Sequence, residues 1–272
     1  VHPPTDDAAS AASLSAAPPL VQTALEALDA AGVRWCLLRD AHDVTGAAEV
    51  DLLVRPGDLK TMRHAVERHG GFLPLTAWGR APHRFFVADA GPEGARVKLD
   101  VVDSLAFGRH GELRTDHSVA ELVLARRRRE GALSVPAPGD ALWALLLHVV
   151  LDRRTVRPQR ADEVRALAAQ VRDDSALTAV VEAACPPGWS AARILDAAAA
   201  GSFDELLALS GALRARWPGA GRPRAALRVA ASAALRRADR LHAVRAWRAR
   251  ARARAAQQSG LMTSNSRLRS TG

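Results

Sequence analysis

The stretch Glu49–Arg55, EVDLLVR, limits the possible folds of this chain more than any other segment. In an extended strand successive side chains point to opposite faces. Val50, Leu52 and Val54 then make one apolar face, while Glu49, Asp51 and Leu53 make the other. The flanking sequence supplies partners for such a strand. Residues 20–31 repeat apolar side chains at helical spacing, and Gly32 ends that helix. Val33–Arg39 reads as a buried strand and Ala41–Ala48 as a loop. Pro56 and Gly57 open a second helix that runs to about Arg68, with Gly70-Gly71 ending it. Three strands follow, at about 71–78, 83–89 and 95–103. The last two are joined by the hairpin-type turn Gly91-Pro92-Glu93-Gly94.

The pattern changes to helix after Gly111. Ser118 and Glu121 have the spacing of a capping box for a helix running to about Arg129. A short extended stretch, Ala132–Val135, precedes Pro136. From Pro138 to about Trp217 the period is helical throughout. The expected architecture is α/β or α+β, with a small mixed-sheet domain at 20–135 and a helical domain at 136–216. Residues 1–19 read as a disordered leader. Residues 217–256 read as a linker and one long basic C-terminal helix, and 257–272 as a disordered tail.

The 272 residues carry a formal net charge of +9. That charge is local. Residues 222–254 hold eleven Arg and one acid, Asp239, so the rest of the chain is close to neutral. An anionic partner would therefore have to be met by that segment. Leu227, Ala231, Leu235, Ala238, Leu241, Val244 and Trp247 give it an apolar stripe, which suits an anionic membrane surface or a protein partner. Nucleic acid is disfavoured, because Trp247 is the one aromatic available for stacking on bases. The competing view is a solvated helix whose Arg content follows codon usage, since the chain has 36 Arg against 2 Lys. Cys36 and Cys185 stand alone in apolar contexts, which fits a reducing compartment. The longest apolar run, Ala141–Leu151, is shorter than the ~20 residues a membrane span needs. The expected location is the cytoplasm, with attachment to the inner membrane face left open.

Several chemistries lack their motifs. There is no P-loop, no GxGxxG after a strand, no HExxH and no Gly-x-Ser-x-Gly. What the chain does have is a carboxylate constellation. Glu49 and Asp51 share a strand face. In RVKLDVVD, Arg96–Asp103, the residues Lys98, Asp100 and Val102 share another. If the two strands are neighbours, three carboxylates converge. Such a cluster is costly unless a cation neutralises it, and hard divalent ions with oxygen ligands suit it, Mg²⁺ above all. Two metals at such a site serve phosphoryl or nucleotidyl transfer.

This run of elements resembles the nucleotidyltransferase superfamily, most closely its small bacterial members. The likeness spans roughly residues 20–135. It rests on the strand and loop before Glu-Val-Asp-Leu-Leu-Val, the Pro-Gly-Asp helix, the Gly-Phe strand and the late Lys-Leu-Asp-Val-Val strand. It implies that Glu49, Asp51 and Asp100 hold one or two Mg²⁺ ions and an NTP such as ATP. It also implies that Asp51 and Asp100 are catalytic, Asp100 serving as general base. The implied activity moves a nucleoside monophosphate to a hydroxyl or phosphate acceptor that the sequence does not identify. Two features depart from the family pattern. Arg39-Asp40 stands where the family has Gly-Gly or Gly-Ser to cradle phosphate, so Arg39 becomes the candidate phosphate ligand. The first metal ligand is Glu instead of Asp. A non-catalytic nucleotide-binding or scaffold protein of the same fold, docking through its basic helix, is the alternative.

Other residues carry weaker signals. Lys98 could contact triphosphate or acceptor, or could pair with Asp100 or Glu49. Asp103 reads as a strand-end or turn residue. His148, midway along an apolar helix, reads as a core histidine, although the resemblance leaves a substrate contact open for it and for Arg153. Trp35 and Trp143 read as core.

Overall fold

The strand alternation predicted above organises a three-layer structure in the computed structural model, which describes residues 17–38, 49–69, 71–74, 83–89, 96–107, 113–153, 156–171 and 175–216. Helix α1 (Pro19–Ala30) leads into β1 (Trp35–Leu37) and β2 (Glu49–Val54), and a short 3-10 turn at Pro56–Asp58 enters α2 (Leu59–His69). Gly32 follows α1 with φ of 66°, a conformation that costs glycine nothing and a side chain about 1–2 kcal/mol. Strands β3 (Leu73–Pro74), β4 (Arg84–Asp89) and β5 (Arg96–Val102) complete a five-stranded sheet of order β1-β2-β5-β4-β3. The β2–β5 pairing is parallel and the other pairings are antiparallel.

The alternation places two different cores on the two sheet faces. Val50, Leu52 and Val54 join Val97, Leu99 and Val101 beneath α1 and α2, with Leu25, Leu28, Met62 and Trp35 fully buried among them. Leu53 and Val102 face the other way. They meet Cys36 and a core that continues through the helices as far as Leu213. Burying a Leu or Val side chain contributes about 1.5–3 kcal/mol. Glu49 and Asp51 lie on that second face as well, toward the start of β2.

After the sheet come two short strands, β6 (Ala106–Phe107) and β7 (Leu113–Arg114), which pair with each other and were not anticipated from the pattern. Helix α3 spans His117–Arg126. Its cap is Asp116, whose carboxylate accepts from the Ser118 backbone N–H at 2.9 Å, so Ser118 is inside the helix and does not cap it. The helix also stops three residues early. Arg128–Glu130 forms β8 and pairs with β9 (Leu133–Val135) across the turn at Gly131, where φ is 59°. Then α4 (Pro138–Leu147) runs into a π-helical turn, His148–Arg153. The remaining helices are α5 (Pro158–Gln170), α6 (Ser175–Ala184), α7 (Ala191–Ala200) and α8 (Phe203–Arg216).

The architecture is thus mixed α/β, with a five-stranded mixed sheet, smaller two-stranded sheets and helices over the described residues from Pro138 to Arg216. The leader through residue 16, the hairpin turn at 91–94, the linker with the long basic helix (217–256) and the tail lie outside the described residues. No described helix is long and apolar enough to cross a membrane.

Candidate functional site

Parallel pairing of β2 with β5 sets Asp51 opposite Asp100 and Glu49 opposite Lys98. Paired residues on neighbouring strands project from the same face, and the strands lie about 4.8 Å apart. One carboxylate oxygen from each of Glu49, Asp51 and Asp100 therefore comes within 4.8 Å of the others. Two unit charges at that separation repel by about 1 kcal/mol in water and about 3.5 kcal/mol at an effective dielectric of ~20. The sheet forces three such groups together, so cations must answer them.

Lys98, and His83 in its protonated form, do so. Lys98 Nζ lies 2.5 Å from Glu49 Oε1, and His83 Nδ1 lies 2.9 Å from Asp100 Oδ1. Phe85 organises both cations. It pairs with Asp100 across β4–β5, holds the Lys98 ammonium 4.5 Å above its ring centre, and stacks on His83 at 6.0 Å. Burial by itself disfavours the His83 imidazolium. The hydrogen bond and charge of Asp100 oppose that, helped by a hydrogen bond to the Ala106 backbone and by the charge of Asp51. The balance raises the His83 pKa above its ordinary 6.5.

The carboxylate cluster could hold a metal ion. Its donors are all oxygen, the set preferred by hard divalent cations, and each carboxylate has two oxygens to offer. Asp100 is the most enclosed, with 13% of its side chain exposed, against 49% for Glu49. The cluster opens onto a cavity of about 400 Å³. Its acidic lining is Glu49, Asp51 and Asp100 with His83, and it is lined as well by Val102, Phe107 and residues of α4 and α5.

The sequence-predicted residues fare differently. Glu49, Asp51 and Asp100 are brought together. Lys98 is at the site, engaged with Glu49 as one of its two readings expected. Arg39 lies outside the described residues. Asp103 ends its strand away from the cluster, 5% exposed, held by Arg84 at 3.3 Å and Arg114 at 3.2 Å. His148 is not a core residue. It is half-buried at the start of the π-helical turn and lines the cavity. Trp35 and Trp143 are in the core, 1% and 0% exposed.

His83 was missed. The available signal was its i, i+2 spacing to Phe85 on a predicted strand, but nothing in that spacing says which strand lies alongside. Comparison of the chain with family models, curated proteins and solved structures gives no match.

Proposed function

We propose that this protein is a divalent-metal-dependent nucleotidyltransferase, moving a nucleoside monophosphate from an NTP to an acceptor hydroxyl. The observation that carries the reading is the convergence of Glu49, Asp51 and Asp100, from two adjacent parallel strands, at one end of a 400 Å³ cavity. These three carboxylates would hold Mg²⁺, which when bound neutralises the triphosphate and lowers the barrier to displacement. The protein's own part is to fix the ligands on a rigid sheet and to receive a proton. In the transfer, a bond forms from the acceptor oxygen to the α-phosphorus and the α–β anhydride bond breaks. Pyrophosphate leaves, and Asp100 takes the hydroxyl proton. The Arg-rich segment 222–256 is the proposed docking element for an anionic membrane surface or protein.

One observation favours a second reading, a nucleotide-binding protein without catalysis. Lys98 and His83 already sit on two of the three carboxylates, which offsets their repulsion with no metal. Thermal unfolding of the full chain with ATP, with and without Mg²⁺, tests the site that both readings share, and pyrophosphate release separates the two. A ligand at a hundred times its Kd adds about 2.7 kcal/mol to stability. Mg²⁺-dependent stabilisation that is absent in Asp51→Asn supports the site. Pyrophosphate release in the presence of mixed alcohols then supports the transferase, and binding without release supports the second reading. Equal stabilisation of the variant would remove both.

A further inference from the structure

The cavity is chemically divided, and the division bears on the acceptor. At its sheet end stand the three carboxylates and His83. The rest of its lining is mostly apolar, with Val102 beside Asp100 on β5, Phe107 of β6, Ala141, Ala144 and Leu145 of α4, and Leu167 of α5. No Lys or Arg is among the described residues that line it. Among the described residues of the helical side, His148 is the polar side chain that lines it.

Three physical consequences follow. A phosphorylated or carboxylated acceptor would meet a cluster of carboxylates and, among the described residues of the lining, no guanidinium or ammonium to pair its charge. A nucleobase would bring a polar edge to walls of Ala, Leu, Val and Phe, where each unmet donor or acceptor costs about 1–3 kcal/mol. The backbone offers little relief, because helix interiors have already used their N–H and C=O groups and the Ala106 backbone is engaged by His83. An apolar body leaves no such debt, and apolar chambers with a few convergent polar groups are the usual form of small-molecule sites.

We infer that the chamber between β6 and helices α4 and α5 binds the acceptor, and that the acceptor is an uncharged alcohol with an aromatic or aliphatic body whose hydroxyl points at Asp51 and Asp100. The inference rests on the nucleotidyl-transfer reading for the role of the hydroxyl, while the apolar chamber itself stands on its lining. The polar head enters toward the carboxylates, the body fills the space beside Phe107 and Leu145, and His148 gives the helical side one hydrogen-bonding group to orient it.

The test uses the full chain and 2-(2-naphthyl)ethanol as a neutral probe, with glucose 6-phosphate as its anionic counterpart. Binding is read by probe fluorescence and by thermal shift. The naphthyl alcohol is expected to bind saturably at one site and the sugar phosphate not to bind. Ala144→Trp, which fills the chamber, should weaken the probe at least tenfold. Ala144→Leu, a smaller intrusion that folds more readily, should weaken it about threefold. Asp51→Asn, which keeps an oxygen acceptor for the hydroxyl, should weaken the probe far less than Ala144→Trp does while removing Mg²⁺–ATP stabilisation, so the two readings fail separately. Loss of ATP stabilisation everywhere with intact, chamber-dependent probe binding would sink the transferase and keep the chamber. Absence of saturable probe binding, binding indifferent to both Ala144 variants, or displacement of the probe by adenosine would overturn the assignment.

Discussion

Arg126→Met should be among the most damaging single changes to the part of the fold that walls the cavity. The Arg126 guanidinium ends α3 and grips Asp140 in the first turn of α4, Nε to Oδ2 at 3.1 Å and Nη2 to Oδ1 at 2.6 Å. The Asp140 side chain is 0% exposed and that of Arg126 24%. Methionine keeps much of the apolar stem and removes the charge, leaving a carboxylate buried beside the cavity-lining Ala141. Breaking a buried pair in this way costs about 3–5 kcal/mol. At about 2–4 °C per kcal/mol for a chain of this size, the melting temperature should fall by roughly 10 °C. Adding Asp140→Asn should restore most of the loss, because the stranded charge is then gone. The pH dependence gives a second check. Burial already raises the Asp140 pKa above its ordinary 3.8, against the opposing hydrogen bond and charge of Arg126. Without Arg126 the pKa rises further. An acid whose folded pKa is the higher one holds extra protons in the native state, so its contribution is greatest at low pH and is lost as pH rises through the folded value. The deficit of Arg126→Met should therefore be smaller at pH 5 than at pH 7.5, measured by urea unfolding followed through tryptophan fluorescence. A deficit that does not change with pH, or a double variant no more stable than the single, would refute this account of the pair.

Three further outcomes are expected. Lys98→Met frees Glu49 from its ammonium and should tighten Mn²⁺ binding several-fold by electron paramagnetic resonance; weaker binding would mean that Lys98 supports the metal-loaded state instead. Cys36 and Cys185 are free and buried, and burial is the main reason both thiols are pushed up to about 12, so neither should react with a disulfide reagent at pH 8 until urea is added; prompt reaction of either would show that its pocket opens in the native state. Deleting residues 222–272 should abolish binding to anionic vesicles at low salt while leaving Mg²⁺–ATP stabilisation in place, since eleven Arg of the chain lie between Arg222 and Arg254; vesicle binding that survives the deletion would place the anionic surface elsewhere.

The sequence by itself determined which side chains share a face. Period-two alternation in Glu49–Val54 and Arg96–Val102 is a local property of extended backbone, and both strands bury Val50, Leu52, Val97 and Leu99 on one side as that alternation requires. The order of helices and strands through β5 and the burial of Trp35 and Trp143 were legible for the same reason, because apolar spacing declares its period without reference to the rest of the chain. Boundaries were less so. Asp116 and Ser118 are both able to cap, and only the path of the backbone selected Asp116. Arg128–Glu130 has no apolar alternation and becomes a strand because Leu133–Val135 lies beside it.

Tertiary structure alone decided what the acidic face meets. Asp51 and Asp100 are 49 residues apart in the chain and become neighbours through a parallel pairing whose register no local pattern encodes. His83 reaches Asp100 because β4 returns antiparallel along β5, and Lys98 turns to Glu49 because the register sets them opposite. His148 was expected in the core and lines the cavity instead, because it shares the helical face of Ala141, Ala144 and Leu145, and only the tertiary packing turns that face to the cavity. Local periodicity assigns each side chain a direction; long-range pairing decides what stands in that direction, and the chemistry of the site depends on the second.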